Sequence, residues 1–464
     1  MKKIIKIVII VVSLLIVSFS GRMMINEIIA TKDTTENSDI AFNGICDHEE
    51  DKFCSNLPLI FITTDNEVNE EEHVKANFSV INNKGFKSHI DDKEELNEFG
   101  TIKYRGNSSF YTFDKKQYRV KFYKDEHMNK DKSINLFGMS KHNDWILNGP
   151  FLDRSLVRNK IMYDISREIM AWAPDTRFCE LFFNGEHMGV YLAIEPVSVG
   201  ENRLDFSKFG LISGETAYLL KRERVGTEKV SIETYGKLNG KTSNELFISY
   251  PSNKKLTERQ KEWIENDINK FEKVLYSESF DDEDIGYGKF INVDSFVDYF
   301  IINEFSMNSD ASALSTYIYK DLDEKLSMCV WDFNNSFNNY SWSTKSYEMF
   351  YLVEQNWFNR LIQDRNFVNK IVERYRELRK GVLSKEGLYH KIRNSVEYLG
   401  DAVERNFEVW GYTLNQNLLS RDENGNLRDP KSYEEAINML QASIDMRLKF
   451  LDENIENLYK YCVN

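Results

Sequence analysis

The chain of 464 residues is poor in proline, with 6, and in histidine, with 7, and it carries only 5 cysteines. Hydrophobic residues make up 41% and aromatic ones 13%, so with so little proline a largely disordered chain is excluded. The length is enough for a large core or two lobes. There is no Cys-x-x-Cys, no His-Glu-x-x-His and no Cys/His cluster, hence no zinc-site signature. Cys46 and Cys54 lie eight apart in a polar stretch and suit a small disulfide if the protein is exported. Cys179 and Cys329 fall in predicted core strands and read as buried thiols. Excess positive charge is lacking too. The formal net charge of −14 argues against a nucleic-acid surface and means that an anionic ligand needs a local basic patch and metal ions. Acidic runs at Glu70–Glu72 and Asp281–Asp284 read as solvated loops. No internal repeat of roughly 20–50 residues is evident.

One long apolar run is present. Lys2, Lys3 and Lys6 precede residues 7–21, which carry no charge. That is short for a span of about 20 residues and right for a signal-peptide core, and Ser18-Phe19-Ser20 offers a small-x-small site. Export is predicted, with segment 1–21 either cleaved or kept as a membrane anchor, and with 22–56 as a polar tether.

Order is predicted to begin at the strand Leu57-Pro-Leu-Ile-Phe-Ile-Thr-Thr. Further strands follow at 77–82, 101–105 and 116–123, the last carrying Lys121. Between the third and fourth stands Gly106-Asn107-Ser108-Ser109. A strand, a Gly/Ser turn and a Lys-bearing strand form the local layout of a phosphate cradle, although most such turns only join a hairpin. Asp153 can N-cap a helix over 154–172, whose Leu156, Ile161, Ile165 and Ile169 recur at helical spacing. Strand 177–183, the hairpin dipeptide Asn184-Gly185 and strand 189–194 lead to Glu195-Pro196. Strands at 218–221 and 246–251 come next, then helices over 257–276, 293–305, 357–362, 366–381, 385–411 and 433–461. The aliphatic stripe Ile437, Leu440, Ile444, Leu448 and Leu451 reads as core contact.

The most informative stretch runs from Ile301 to Phe337. An apolar helix end enters a polar turn holding Asn308 and Asp310, and two short strands follow. The second is almost wholly apolar and ends in Asp332. A carboxylate at the end of a buried strand is costly unless a cation or hydrogen-bond donors satisfy it. Two such aspartates suit a site where one handles a proton and the other holds Mg2+, while the bland reading of Asp332 is a turn former or helix N-cap.

The order of sheet, Gly turn, Lys strand, helix, hairpin and Glu-Pro exit parallels the small lobe of protein kinases, a fold-level analogy. With LPLIFITT, RGNSS, KKQYRVKF, LFGMSKHNDWILNGPFLDRSLVRN, ELFFNGEHMGVYLAIEP, ISYP, INEFSMNSD and VWDFNNSF in that order, the chain resembles the CotH kinase family, the spore coat protein H-like atypical protein kinases. The resemblance spans about residues 57–340 and implies an α+β, two-lobed atypical protein-kinase-like fold. Its β-rich N-lobe would cover 57–197 and its mainly helical C-lobe 198–464. It implies transfer of the ATP γ-phosphoryl group, with Mg2+ or Mn2+, to Ser/Thr residues of coat or surface proteins. Asp310 would match the catalytic aspartate and Asp332 the metal-binding one. Lys121 would contact phosphate, with Arg105, Ser108 and Ser109 nearby, and Glu195 and Val197 would lie at the hinge by the adenine.

There are departures from the pattern. No His-Arg-Asp triplet precedes Asp310, where Asn308 and Ser309 stand, and Ser315 occupies the place of a second metal ligand, with Asn334 or Asn335 as substitutes. Asp164 and Glu168 are both candidate partners of Lys121. The export segment also differs from coat proteins assembled in a mother-cell cytoplasm and points to an envelope or extracellular role. A non-catalytic, kinase-like coat-assembly or adhesion scaffold is the rival reading. Nucleotidyl or phosphoryl transfer to a small molecule or glycan is a third.

Overall fold

The computed structural model describes residues 52–106, 108–207, 214–225 and 230–463. Segment 1–21, most of the tether and the Cys46 half of the expected disulfide lie outside the described residues. Ordered chain starts before Leu57, because Cys54–Ser55 (β1) already pairs with Ser88–His89 (β4).

Seven strands close into a barrel: β2 (Leu59–Thr63), β3 (Val74–Ile81), β5 (Leu96–Arg105), β6 (Gln117–Phe122), β7 (Asp144–Asn148), β8 (Thr176–Phe183) and β9 (Glu186–Ile194). Neighbours are antiparallel except β2 and β8, which run parallel and seal the barrel. Strand period 2 decides what lies inside. Tyr118, Val120 and Phe122 of β6 join Ile60, Ile62, Phe78, Trp145 and Leu181 in the barrel core. Gln117, Arg119 and Lys121 take the other face of the same strand. The Asn184-Gly185 hairpin forms as expected, both residues adopting positive φ (49° and 85°).

The second half is built on a five-stranded antiparallel sheet, ordered β11 (Ser231–Ile232), β12 (Glu245–Tyr250), β10 (Tyr218–Glu223), β13 (Thr316–Lys320) and β14 (Ser327–Cys329). Helices Glu258–Leu275, Val293–Ser306, Arg365–Leu378, Lys385–Leu399, Ala402–Trp410 and Tyr433–Asn454 pack around it. The apolar stripe of the last buries Leu440, Ile444, Leu448 and Leu451. One core cluster runs from the barrel-side helix Arg158–Ile169 through this sheet to the C-terminal helices. The mixed α+β class is as the sequence implies.

Three helix boundaries differ from expectation. The helix expected over 154–172 spans only Arg158–Ile169, because Asp153 caps a preceding turn, accepting from Ser155 N at 3.1 Å and Arg158 N at 2.9 Å. The expected helix 385–411 is two, interrupted at Gly400, which adopts positive φ. Beyond Asn454 the last helix tightens into the 3-10 turn Ile455–Tyr461.

Candidate active site

Asp332 follows β14 and adopts a left-handed backbone, φ 60°, which is strained for a non-glycine residue and must be held by its surroundings. Its N–H donates to the Tyr163 hydroxyl (3.1 Å), and its carbonyl accepts from Asn308 Nδ2 (3.3 Å). The next N–H, of Phe333, donates to Asn159 Oδ1 (2.9 Å). Tyr163 and Asn159 both lie on the helix Arg158–Ile169, so that helix fixes the backbone that aims Asp332. Burial pushes the Asp332 carboxyl up, and the nearby Asp310 charge adds to this, while Arg105 and the Asn334 N–H groups oppose it.

Asp310 stands in the turn after helix Val293–Ser306, whose C-cap Met307 adopts the left-handed conformation. Asn308 ties that helix end to the Asp332 backbone, since its Nδ2 also donates to Asn303 Oδ1 (3.0 Å). The backbone carbonyl of Asp310 accepts from Leu314 N (2.7 Å), closing the turn. Its carboxylate Oδ1 accepts from the Tyr340 hydroxyl at 2.6 Å.

Asp310 and Asp332 line one cleft of about 580 Å3. Arg105, Ser109 and Val197, all expected near a nucleotide, line it too. Gly106 lets the chain leave β5 at Arg105: its φ is +102°, and a Cβ there would sit 2.1 Å from Ser109 Oγ. The expected Gly/Ser turn is in fact the start of a short helix, Ser108–Thr112. Ser108 lies at its first position.

Two expected residues stand apart. Lys121 is not among the residues lining the cleft. Strand β6 carries it four positions beyond Gln117, roughly 13 Å at a strand's rise. Its amine lies 3.9 Å from Asp144, whose carboxylate is gripped by Arg119 (2.9 and 2.6 Å). Burial pushes the Asp144 carboxyl up, but Arg119 and Lys121 outweigh it and hold it below its ordinary value. Neither candidate partner from the helix reaches Lys121: Asp164 pairs with Lys160 and Glu168 with Lys391. Lys103 and Arg105 of β5 and Arg119 of β6 are the cations of these two strands that line the cleft.

Glu195 is buried, 1% exposed, and turns to Asp175, whose N–H it accepts at 3.1 Å, whereas Pro196 and Val197 face the cleft. Burial raises the Glu195 carboxyl from 4.5 to about 7, with Arg203 opposing. A carboxyl raised in the folded state stabilises fully below its unfolded value, and that contribution is lost as pH rises through the folded value. Glu195→Gln is therefore expected to flatten the loss of stability between about pH 5 and pH 8, on the order of 3 kcal/mol. Thermal melting of both proteins across that range checks this. Parallel curves would refute it.

An amide relay links the two sides of the cleft. Arg105 Nη1 donates to Gln117 Oε1 (2.8 Å), which also accepts from Asn148 Nδ2 (3.0 Å). Asn159 Nδ2 donates to Asn148 Oδ1 (3.2 Å) and Asn334 Oδ1 (2.6 Å), and Asn334 Nδ2 donates to Asp332 Oδ1 (2.7 Å). Gln117, Asn148, Asn159 and Tyr340 carried no signal in the sequence beyond sitting inside or beside the motifs quoted above. Among the described residues, no group of three His, Cys, Asp or Glu side chains could cage a metal ion. Mg2+ needs no such cage, since it keeps several waters and takes one or two carboxylates plus substrate phosphates. The half-buried Asp332, raised by burial and hydrogen-bonded to Asn334, fits that donor set.

Among the described residues, no helix is long and apolar enough to cross a membrane. The family model described as CotH kinase protein matches residues 102–451. The inner spore coat protein H of Bacillus subtilis (strain 168) is 28% identical over 152 residues, covering 32% of this chain and 39% of that protein. The chain thus aligns with well under half of that relative's length. With three quarters of its residues matched by one family model, this chain belongs to the CotH kinase protein family.

Proposed function

We propose that the protein is an ATP-dependent Ser/Thr protein kinase of two-lobed, kinase-like build, acting at a spore coat or on the cell surface. The observation that carries this is the convergence of Asp310 and Asp332 on one cleft whose facing wall presents Arg105 and Arg119. Phosphoryl transfer asks little covalent chemistry of a protein beyond positioning and charge stabilisation. Asp332, with Asn334 beside it, would hold Mg2+ or Mn2+, which when bound neutralises charge developing on the transferred phosphoryl group. Arg105 faces the same oxygens with a guanidinium whose own hydrogen bond goes to the neutral amide of Gln117. Asp310 accepts the proton of the substrate hydroxyl. Ser109 lines the phosphate end of the cleft, and Val197, with Pro196 and Ile146, supplies an apolar wall suited to an adenine ring. The coat location is drawn from the named relative, and export from the basic and apolar start of the sequence.

The test is incubation of the full chain with ATP labelled in the γ-phosphate, Mg2+ or Mn2+, and dephosphorylated casein as acceptor. Label on Ser/Thr is expected, and Asp310→Asn is expected to bind nucleotide as the unsubstituted chain does while losing roughly 100-fold or more in turnover. Nucleotide binding without transfer would favour a scaffold, and in a parallel incubation with ATP labelled in the α-phosphate, label on the acceptor would indicate nucleotidyl transfer.

A further inference from the structure

The segment after Asp332 is held through its carbonyl oxygens by arginines from three separate parts of the chain. Arg158 Nε donates to Ser336 O (3.2 Å), and Arg447 Nη1 donates to Tyr347 O (2.8 Å) and Met349 O (2.7 Å). Between them Arg428, from the loop before the last helix, donates to Asn338 O (2.7 Å) and Tyr340 O (3.1 Å). Arg428 is itself braced on Ser420, whose carbonyl it reaches at 2.7 Å and whose hydroxyl at 2.6 Å. Ser420 N also donates to Tyr340 O (3.0 Å). The backbone at Tyr340 is thus clamped by a loop some 80 residues downstream, and the residue is 8% exposed.

The clamped side chain ends on the proposed acceptor-side carboxylate: Tyr340 OH donates to Asp310 Oδ1 at 2.6 Å. We propose that Tyr340, locked in place by Arg428, is a positioning residue that orients Asp310 for the substrate hydroxyl. This rests on the reading of Asp310 given above. The last torsion of an aspartate is broad and roughly two-fold, so an untethered carboxylate spreads over many orientations. Anchoring Oδ1 leaves Oδ2 as the acceptor of the incoming hydroxyl's proton. In this chain no His-Arg-Asp triplet precedes the aspartate, and the tyrosine approaches it from the downstream side instead.

The experiment compares Tyr340→Phe, Arg428→Ala and Arg428→Lys with the unsubstituted full chain, using ATP, Mg2+ and dephosphorylated casein. Tyr340→Phe keeps the ring and deletes the donor, so kcat is expected to fall roughly 10- to 100-fold, with KM for ATP and nucleotide affinity unchanged within about twofold. Arg428→Ala is expected to lower kcat in the same direction, and Arg428→Lys to recover less than half of that loss, because one ammonium lacks the planar fork that reaches Asn338 O, Tyr340 O and Ser420 together. A kcat that is unchanged in Tyr340→Phe overturns the proposal. A kcat that rises also overturns it, for the phenol would then be a plug over the acceptor position. Loss of nucleotide binding in step with turnover overturns it as well, by showing a merely structural role. Absence of transfer by the unsubstituted chain fells both this inference and the kinase reading. Transfer that Tyr340→Phe leaves intact fells this one alone.

Discussion

Asp332→Asn is expected to abolish the divalent-ion dependence of nucleotide binding, weakening affinity in Mg2+ by more than the roughly 10- to 100-fold that loss of a mere outer partner brings. Asparagine is the substitution of choice because it tolerates the left-handed backbone seen at this position, φ 60°, where alanine adds strain of its own. The amide keeps the shape and loses the charge. Burial already pushes this carboxyl up, so the folded protein without ligand is expected to melt no lower after the change. The rise in melting temperature on adding ATP with Mg2+ should disappear. Calorimetric titration of nucleotide with and without Mg2+, on both proteins, reads the result. If Asp332→Asn bound nucleotide normally with Mg2+ and lost only turnover, its role and that of Asp310 would have been exchanged.

The largest expected effect on stability lies at Arg447. Its side chain and that of Glu304 are 0% and 2% exposed, and they pair at 2.8 Å. Glu304 Oε1 also accepts from Leu352 N (2.6 Å) and Tyr351 N (2.8 Å), and Arg447 holds the Tyr347 and Met349 carbonyls. The pair therefore fastens the segment 347–352 to the helix that ends just before Asp310. Burial raises the Glu304 carboxyl, with Arg447 as the main opposing influence. Arg447→Met leaves an uncompensated carboxylate in the core and two carbonyls without their donor. The expected cost is about 3–5 kcal/mol, read as a shift in the denaturant midpoint. Glu304→Gln in the same chain should recover part of it, since most of the penalty is the stranded charge. A cost below about 1 kcal/mol would mean that water or a rearranged loop satisfies Glu304.

Six of the seven barrel strands were legible in the sequence, two of them by alternation, while β7 carried no such signal. In β6 the polar residues at 117, 119 and 121 and the apolar ones between them announced a strand with one face inward, and the Asn-Gly dipeptide announced its hairpin. The two aspartates were legible for a different reason: each sits at the polar end of an apolar element, a placement that carries a desolvation cost unless something offsets it. Lys121 shows where this kind of reading stops. It shares a strand face with Gln117 and Arg119, but barrel tilt and register bring the Gln117 and Arg119 rows to the cleft and leave the Lys121 row against Asp144. The helix bearing Asp164 and Glu168 was found by its aliphatic spacing, though drawn several residues too long, and both carboxylates go to other lysines.

Local chemistry is written within windows of a few residues, because alternation, turn dipeptides and helical spacing depend on near neighbours. From that the chain announced its α+β class and the ordered motifs that mark its family. Which polar groups meet depends on contacts between positions a hundred or more residues apart, as in Asn159 with Asn334 or Arg447 with Glu304. No periodicity encodes such meetings: a hydrogen bond requires a fit of a few tenths of an ångström, which is set when the core packs and the barrel closes.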